Sequence, residues 1–440
     1  MTYDDALGFW YGRVNFEVRS AGPGDLKLER MRALLKRLGD PHDRVRLVHV
    51  TGTKGKGSTC AMLASVLRRA GYRVGLFTSP HLEYVEERIQ VNGVSISHAE
   101  LVARMSEVAA AVAELERDGS PGITFFEIGT ALGFLHFCYR RCDVAVIEVG
   151  LGGRFDSTNV CEPLVSVITN IGFDHMAQLG NSLEEIAFQK AGIIKRRVPV
   201  VSGVEQPGAR DVVRRVAAEM RAPLWELDRD FHLTHGECWL NFVTPPSTYE
   251  DISIGLFGTH QATNAIVAVA VVERLREAGM TISDQAIRDG LDVVHWPARI
   301  QLLRNDPWVI LDTAHNVPSA EALVDTLRNL VPNRGVACRK SVVLAVSSDK
   351  QYPDMLRILA GYFDHFHLTK YGVNPRSVPP EKLAAILAEI APGKAFTLHA
   401  NSGEAWATAW AATRETDLVC VTGSMFLAGE LLQVMRKDVL

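Results

Sequence analysis

The segment His49-Val50-Thr51-Gly52-Thr53-Lys54-Gly55-Lys56-Gly57-Ser58-Thr59 sets glycines, a lysine and hydroxyls where a β-branched run gives way to a helical pattern. Glycines let backbone amides approach a phosphate closely, a helix start adds partial positive charge, and Lys56 can reach outer phosphates. Gly52, Thr53, Gly55, Lys56, Gly57, Ser58 and Thr59 are therefore the expected phosphate-binding set, with Ser58 or Thr59 capping the helix or touching a magnesium ion. The spacing departs from a standard Walker A loop, because a glycine intervenes between Lys56 and Ser58. A Gly-rich turn with a solvated lysine is the alternative. Strand, glycines, lysine, Ser-Thr and helix taken together favour phosphate.

Other polar residues recur where apolar runs end. Glu148 closes the run Val144–Glu148 ahead of a Gly-rich turn, where a carboxylate can reach a cation or cap the turn. His175 follows Val165–Thr169; taken alone it reads as a solvated or hydrogen-bonded loop residue. Lys190 falls on an amphipathic stretch from about Ser182, where a lysine is normally on a solvated face.

These residues need elements to position them. Arg46–Val50 reads as a buried strand, followed by a helix from about Ser58 to Ala70 that Gly71 ends. Further strands are expected at Arg73–Phe77, Val144–Glu148, Val165–Thr169 and Val198–Ser202, with helices between them. Such alternation implies a mostly parallel sheet covered on both faces, with ligands beyond the carboxyl ends of its strands. After the helical stretch Ala262–Glu277, Trp296-Pro297-Ala298-Arg299 interrupts the pattern. Strands at Val309–Asp312, the first of the second domain, Val342–Val346, His365–Thr369, Ala395–Leu398 and Leu418–Thr422 then alternate with helices. The expectation is an α/β chain with a P-loop domain over 1–295 and a smaller α/β domain over 296–440.

The chain carries Gly52-Thr53-Lys54-Gly55-Lys56-Gly57-Ser58, Phe77-Thr78-Ser79-Pro80-His81-Leu82, Thr124-Phe125-Phe126-Glu127 and Glu148-Val149-Gly150-Leu151-Gly152-Gly153-Arg154. Thr169-Asn170-Ile171-Gly172-Phe173-Asp174-His175, Gln189-Lys190-Ala191-Gly192-Ile193-Ile194-Lys195 and Gly258-Thr259-His260-Gln261-Ala262-Thr263-Asn264-Ala265 follow. Trp296-Pro297-Ala298-Arg299, Asp312-Thr313-Ala314-His315-Asn316 and Val421-Thr422-Gly423-Ser424 complete the series. In this order they resemble the folylpolyglutamate synthase branch of the Mur ligase family.

The resemblance implies an N-terminal ATPase domain, a C-terminal Rossmann-like domain and an active site in the cleft between them. ATP would phosphorylate a carboxylate, and the amine of L-glutamate would displace phosphate from the acyl phosphate. It assigns Lys56, Lys190, Arg299 and His315 to catalysis, and Asn264, Arg299 and Asp312 to ATP. Ser79, Glu148, His175 and a carbamate on Lys190 would hold two magnesium ions; a monovalent cation is a further candidate. His81 and Phe126 fall to the folate, and Asp312, His315 and Ser424 to glutamate. The substrate is then dihydropteroate, a reduced folate or both, with bifunctionality favoured over folylpolyglutamate synthesis alone. A Mur-type ligase acting on another carboxylate is the runner-up, but the phosphate loop begins at residue 52, leaving no room for the usual N-terminal UDP-binding domain. Three positions depart from the family pattern. Lys54 stands in place of Asn and adds positive charge near the nucleotide, Gln189 stands in place of Glu, and Asp349-Lys350-Gln351 lacks a second acid.

Composition narrows the partners. The net charge of −4 shows no basic excess of the kind nucleic-acid binders carry. No apolar run approaches the ~20 residues of a membrane helix, and Met1-Thr2-Tyr3-Asp4-Asp5 has no signal-peptide character. Seven scattered cysteines suit a reducing compartment. A soluble cytoplasmic enzyme is expected, monomeric by default, with small-molecule partners only. His232, His235, Glu237 and Cys238 lack usable zinc spacing and read as strand-turn-strand.

Overall fold

Short β-branched runs form three sheets in a computed structural model that describes residues 1–17, 27–120, 122–235, 240–331, 338–372 and 374–439. The chain divides into one unit of Met1–Gly255 with Gln261–Val294, and a second of Leu256–His260 with His295–Leu440.

The first unit is built on β1 (Arg46–Thr51), β2 (Val74–Phe77), β3 (Ile89–Val91), β4 (Val94–Ser95), β5 (Val144–Glu148), β6 (Val165–Ile168), β7 (Val200–Ser202) and β8 (Leu224–Glu226). Their order is β4-β3-β2-β5-β1-β6-β7-β8, parallel except where β3 and β4 turn back as a hairpin. The central strands are covered on both faces, which is why β1, β5 and β6 read as continuous apolar runs. Register aligns their carboxyl ends: Val50 pairs with Glu148, Thr51 with Ile168, and Phe77 with Ile147. The loops after β1, β2, β5 and β6 therefore share one edge, on either side of the point where strand order reverses. A separate antiparallel sheet of β9 (His232–His235), β10 (Leu240–Val243) and β11 (Thr248–Ile252) completes this unit. Glu237 and Cys238 lie outside the described residues.

In the second unit, β12 (Gln301–Asn305), β13 (Trp308–Leu311), β14 (Lys340–Leu344), β15 (His365–Leu368), β16 (Ala395–Leu398) and β17 (Leu418–Thr422) follow the order β12-β13-β17-β14-β15-β16. All are parallel except β12. Asp312 thus follows the second strand of this unit, not the first as expected, because the half-exposed edge strand β12 carries Arg304 and Asn305 and shows no apolar run.

Two other boundaries moved. The helix after β1 runs Lys56–Arg69, starting ahead of Ser58, because Gly55 takes φ +76 and lets the following residues wind at once. The apolar helix thought to open near Ala262 runs Thr259–Glu277. Among the described residues no helix is long and apolar enough to cross a membrane, and the six described cysteines are free.

Candidate active site

The loop after β1 is stitched to the loop after β6. Thr53 donates its N–H to Asn170 O at 3.0 Å, and Lys54 donates its N–H to Asn170 Oδ1 at 2.8 Å. Thr169 Oγ1 donates to Lys54 O at 2.6 Å, and Thr53 Oγ1 donates to Gly172 O at 3.1 Å. A Cβ on Gly52 would lie 1.9 Å from Thr169 Oγ1, so only glycine fits there. The helix Lys56–Arg69, which contains Gly57, buried Ser58 and buried Thr59, has no side-chain cap on its first turn. Thr59 Oγ1 finds no partner among the described residues. An uncapped helix start behind a glycine cradle suits an anionic ligand.

Lysines converge on this loop. Lys56 Nζ and Lys190 Nζ both donate to Gly52 O, at 3.1 and 2.8 Å. Lys190 is only 4% exposed, against the solvated face expected of it. Its helix, Leu183–Ala191, is started by Ser182 with Glu185 in a capping box and ends against the turn after β5. There Gly152 lies under Leu179 and Gln189, and a Cβ on Gly153 would meet Lys190 O at 2.9 Å. Burial, then the charge on Lys56, holds the Lys190 amine well below its ordinary pKa. Lys54 Nζ pairs with Asp174 Oδ2 at 2.7 Å, so the charge that the sequence adds is tied to a carboxylate.

Glu148 is buried at the end of β5, and its Oε2 accepts the Ser79 N–H at 3.1 Å. These two expected metal ligands therefore stand together, with an oxygen donor set suited to magnesium. His175 is 52% exposed on the loop after β6, with Nε2 3.9 Å from Asp174 Oδ1. Asn264, in the second turn of Thr259–Glu277, donates to Gln261 Oε1 and packs its Oδ1 against Gly55, where a Cβ would come within 2.2 Å. Its amide therefore backs the phosphate loop.

The loop after β2 carries His81. Arg88 Nε donates to His81 Nδ1 at 2.9 Å, and burial, then Arg88, pushes the imidazole down to about 4. Phe126, in the first turn of the helix Phe125–Tyr139, lies over Gly150, where a Cβ would press into its ring, and meets Phe77 edge-on at 6.0 Å. Glu87 and Arg88, which organise this loop, went unread in the sequence. A Glu-Arg pair seven residues past the Ser79-Pro80 step was the available signal.

In the second unit, Arg299 is half-buried and donates through Nη1 to Thr313 Oγ1 at 2.8 Å. It sits between Ala298 at φ +55 and Ile300 at φ +47. A β-branched residue there is strained, and such strain collects at functional sites. Asp312 secures the strap: Oδ2 accepts the Ile300 N–H at 3.1 Å, while Oδ1 accepts from Ala314 N at 2.6 Å and Thr422 Oγ1 at 3.1 Å. His315 Nδ1 lies 2.9 Å from Thr313 O; a carbonyl only accepts, so Nδ1 carries a proton and turns Nε2 away from that carbonyl. Buried Ser424 follows β17 and accepts the Phe426 N–H at 3.1 Å.

The expected residues thus form two sets, one on each unit. The Mur ligase middle domain family matches residues 50–272, and the Mur ligase glutamate ligase domain matches residues 298–425. A dihydrofolate synthase/folylpolyglutamate synthase of Bacillus subtilis is 42% identical over 377 residues, covering 84% of this chain and 85% of that protein. This chain belongs to the folylpolyglutamate synthase branch of the Mur ligase family. A folylpolyglutamate synthase of Lacticaseibacillus casei is 34% identical across 99% of both chains. Two solved structures in this branch share its fold. E. coli FolC in complex with DHPP and ADP has a TM-score of 0.86 at 30% identity, over 99% of this chain and 98% of that one. Mycobacterium tuberculosis folylpolyglutamate synthase complexed with ADP has a TM-score of 0.89 at 31% identity, over 100% and 99%.

Proposed function

We propose that this chain is an ATP-dependent ligase that joins L-glutamate to a folate, accepting both dihydropteroate and reduced folates. The observation that carries the reading is the pair of lysine amines on Gly52 O beneath an uncapped helix start. Two lysine amines converging on one carbonyl beneath bare helix N–H groups leave donors that an anion at the loop satisfies.

Gly52, Gly55 and the amides of Lys56, Gly57 and Ser58 cradle the triphosphate, with Lys56 on its outer oxygens and Asn264 holding the loop behind them. Asp312 would contact the nucleotide. Arg299, aimed by its strained strap, stabilises charge on the transferring phosphoryl group. Glu148, Ser79 and His175 would hold magnesium, which would supply positive charge against the developing phosphate charge. Lys190 suits carbamylation, since the reaction with carbon dioxide needs a neutral amine and burial favours that form. The carbamate would supply oxygens toward a second magnesium, and a monovalent cation belongs to the same proposal. His81 and Phe126 contact the folate ring, an aromatic face suiting a flat heterocycle. His315, oriented by its Nδ1–H on Thr313 O, accepts the proton of the attacking glutamate amine at Nε2 beside Ser424. A monomeric, cytoplasmic enzyme completes the proposal.

The test is ADP release by purified protein with MgATP and L-glutamate, offering dihydropteroate and tetrahydrofolate separately and weighing the products. Release with both is expected. Release with neither refutes the folate reading.

A further inference from the structure

We infer that Arg88 fixes His81 as the Nε2–H tautomer, so that His81 presents a hydrogen-bond donor and selects an acceptor atom on the folate's ring system. The inference rests on the proposed folate site and adds the polarity of one of its walls.

Arg88 is only 1% exposed. Its Nη1 and Nη2 donate to the two oxygens of Glu17 at 2.7 and 2.6 Å, a bidentate pair that fixes the plane of the guanidinium. The Cζ stands 5.1 Å from the Phe125 ring centroid, so the same group braces the turn that leads into Phe126. The Nε–H meets His81 Nδ1 at 2.9 Å.

A guanidinium has no acceptor and does not deprotonate in proteins. The His81 nitrogen that faces it must therefore carry a lone pair, which leaves the imidazole proton on Nε2. Among the described residues, none accepts a hydrogen bond from Nε2. The loop itself is held: Glu87 accepts backbone N–H bonds from Leu82 at 2.7 Å, Glu83 at 3.0 Å and Tyr84 at 2.9 Å. Thr78 donates its N–H to Arg88 O at 3.1 Å. Two consecutive residues thus clamp the loop, Glu87 through its carboxylate on three backbone N–H groups and Arg88 through the His81 ring. The ring offers the substrate a donor, and the matching group is a carbonyl oxygen or an unprotonated ring nitrogen. Glu17 and Arg88 are positioning residues; His81 makes the contact.

The test combines a spectrum with a pair of variants. Imidazole 15N resonances of the full-length protein are assigned to His81 by their loss in His81→Gln, and report which nitrogen is protonated. Steady-state KM values for folate and for ATP are measured for His81→Gln, whose amide N–H can reach the Nε2 position, and for His81→Asn, which reaches only Nδ1. A protonated Nε2 is expected, with the folate KM raised about tenfold more in His81→Asn than in His81→Gln. The ATP KM should stay constant in both. A protonated Nδ1, or equal folate KM values in the two variants with turnover intact, overturns this inference alone. Loss of all folate-dependent turnover in the wild-type protein overturns the functional reading and this inference with it.

Discussion

Replacing Thr313 by Val probes how the strap around Arg299 works. Thr313 is fully buried, and its Oγ1 accepts from Arg299 Nη1 at 2.8 Å while donating to Ala298 O at 3.2 Å. Valine keeps the shape and removes both bonds. A hydrogen bond to a charged group contributes ~1.5–3 kcal/mol and a neutral one ~0.5–1.5 kcal/mol. The left-handed Ala298 and Ile300 cost roughly 1–3 kcal/mol each and are held by this hydroxyl together with Asp312 and Gln301. Loss of the hydroxyl should destabilise the fold by about 2–4 kcal/mol and let the strap relax. An arginine at a transferring phosphoryl group contributes ~10³–10⁵ to turnover, and a misplacement of ~1 Å costs about 10². The expected result is a kcat lowered about tenfold to hundredfold, with an ATP KM little changed. Thr313→Ser should restore most of it. ADP release with ATP varied gives both constants, and urea unfolding gives the stability. A large loss of stability with an unchanged kcat would refute the link between strap and chemistry.

Other perturbations test separate parts of the site. Gly55→Ala places a Cβ 2.2 Å from Asn264 Oδ1 at a φ of +76; calorimetry with a non-hydrolysable ATP analogue should show affinity lowered by about 10² or more, and normal affinity would remove the loop assignment. Lys190→Ala should lose most activity and regain little with bicarbonate, whereas wild-type protein depleted of carbon dioxide should recover when bicarbonate is added; an active Lys190→Ala variant defeats the carbamate proposal. His49 is buried against Thr158 Oγ1 at 2.8 Å, and burial, then Lys195, pushes its imidazole down to about 3. The unfolded chain takes up that proton first, so stability present above pH ~6.5 falls as pH drops toward about 3. His49→Gln should flatten the urea-midpoint profile in that window, and an unchanged profile contradicts the assignment.

The strand ends were legible because a central parallel strand must be apolar throughout, so polar residues at its carboxyl end stand out. Glu148 after Val144–Ile147 and Asp312 after Trp308–Leu311 both announced themselves in this way. Lys190 did not, because helical periodicity records which residues share a face and says nothing of what covers it. Its burial depends on Gly152 and Gly153, whose missing side chains let a helix end pack against the turn. Arg88 and Glu17 are 71 residues apart, and no local pattern links them. The β3–β4 hairpin had a local signal that went unread: Asn92-Gly93, with both residues at positive φ, is a preferred two-residue turn. The resemblance contributed residue roles that charge, burial and spacing could not assign, and the geometry accounts for how several of those residues are held.

The most direct test of the account follows the oxygen atoms of the substrate carboxylate. Dihydropteroate labelled with ¹⁸O in its carboxylate is incubated with the enzyme, MgATP and L-glutamate, and the inorganic phosphate released is analysed by mass. Activation as an acyl phosphate predicts one ¹⁸O carried into phosphate for each amide bond formed. Amide formation with unlabelled phosphate would contradict that mechanism, and ATP cleavage without amide formation would contradict the ligase itself.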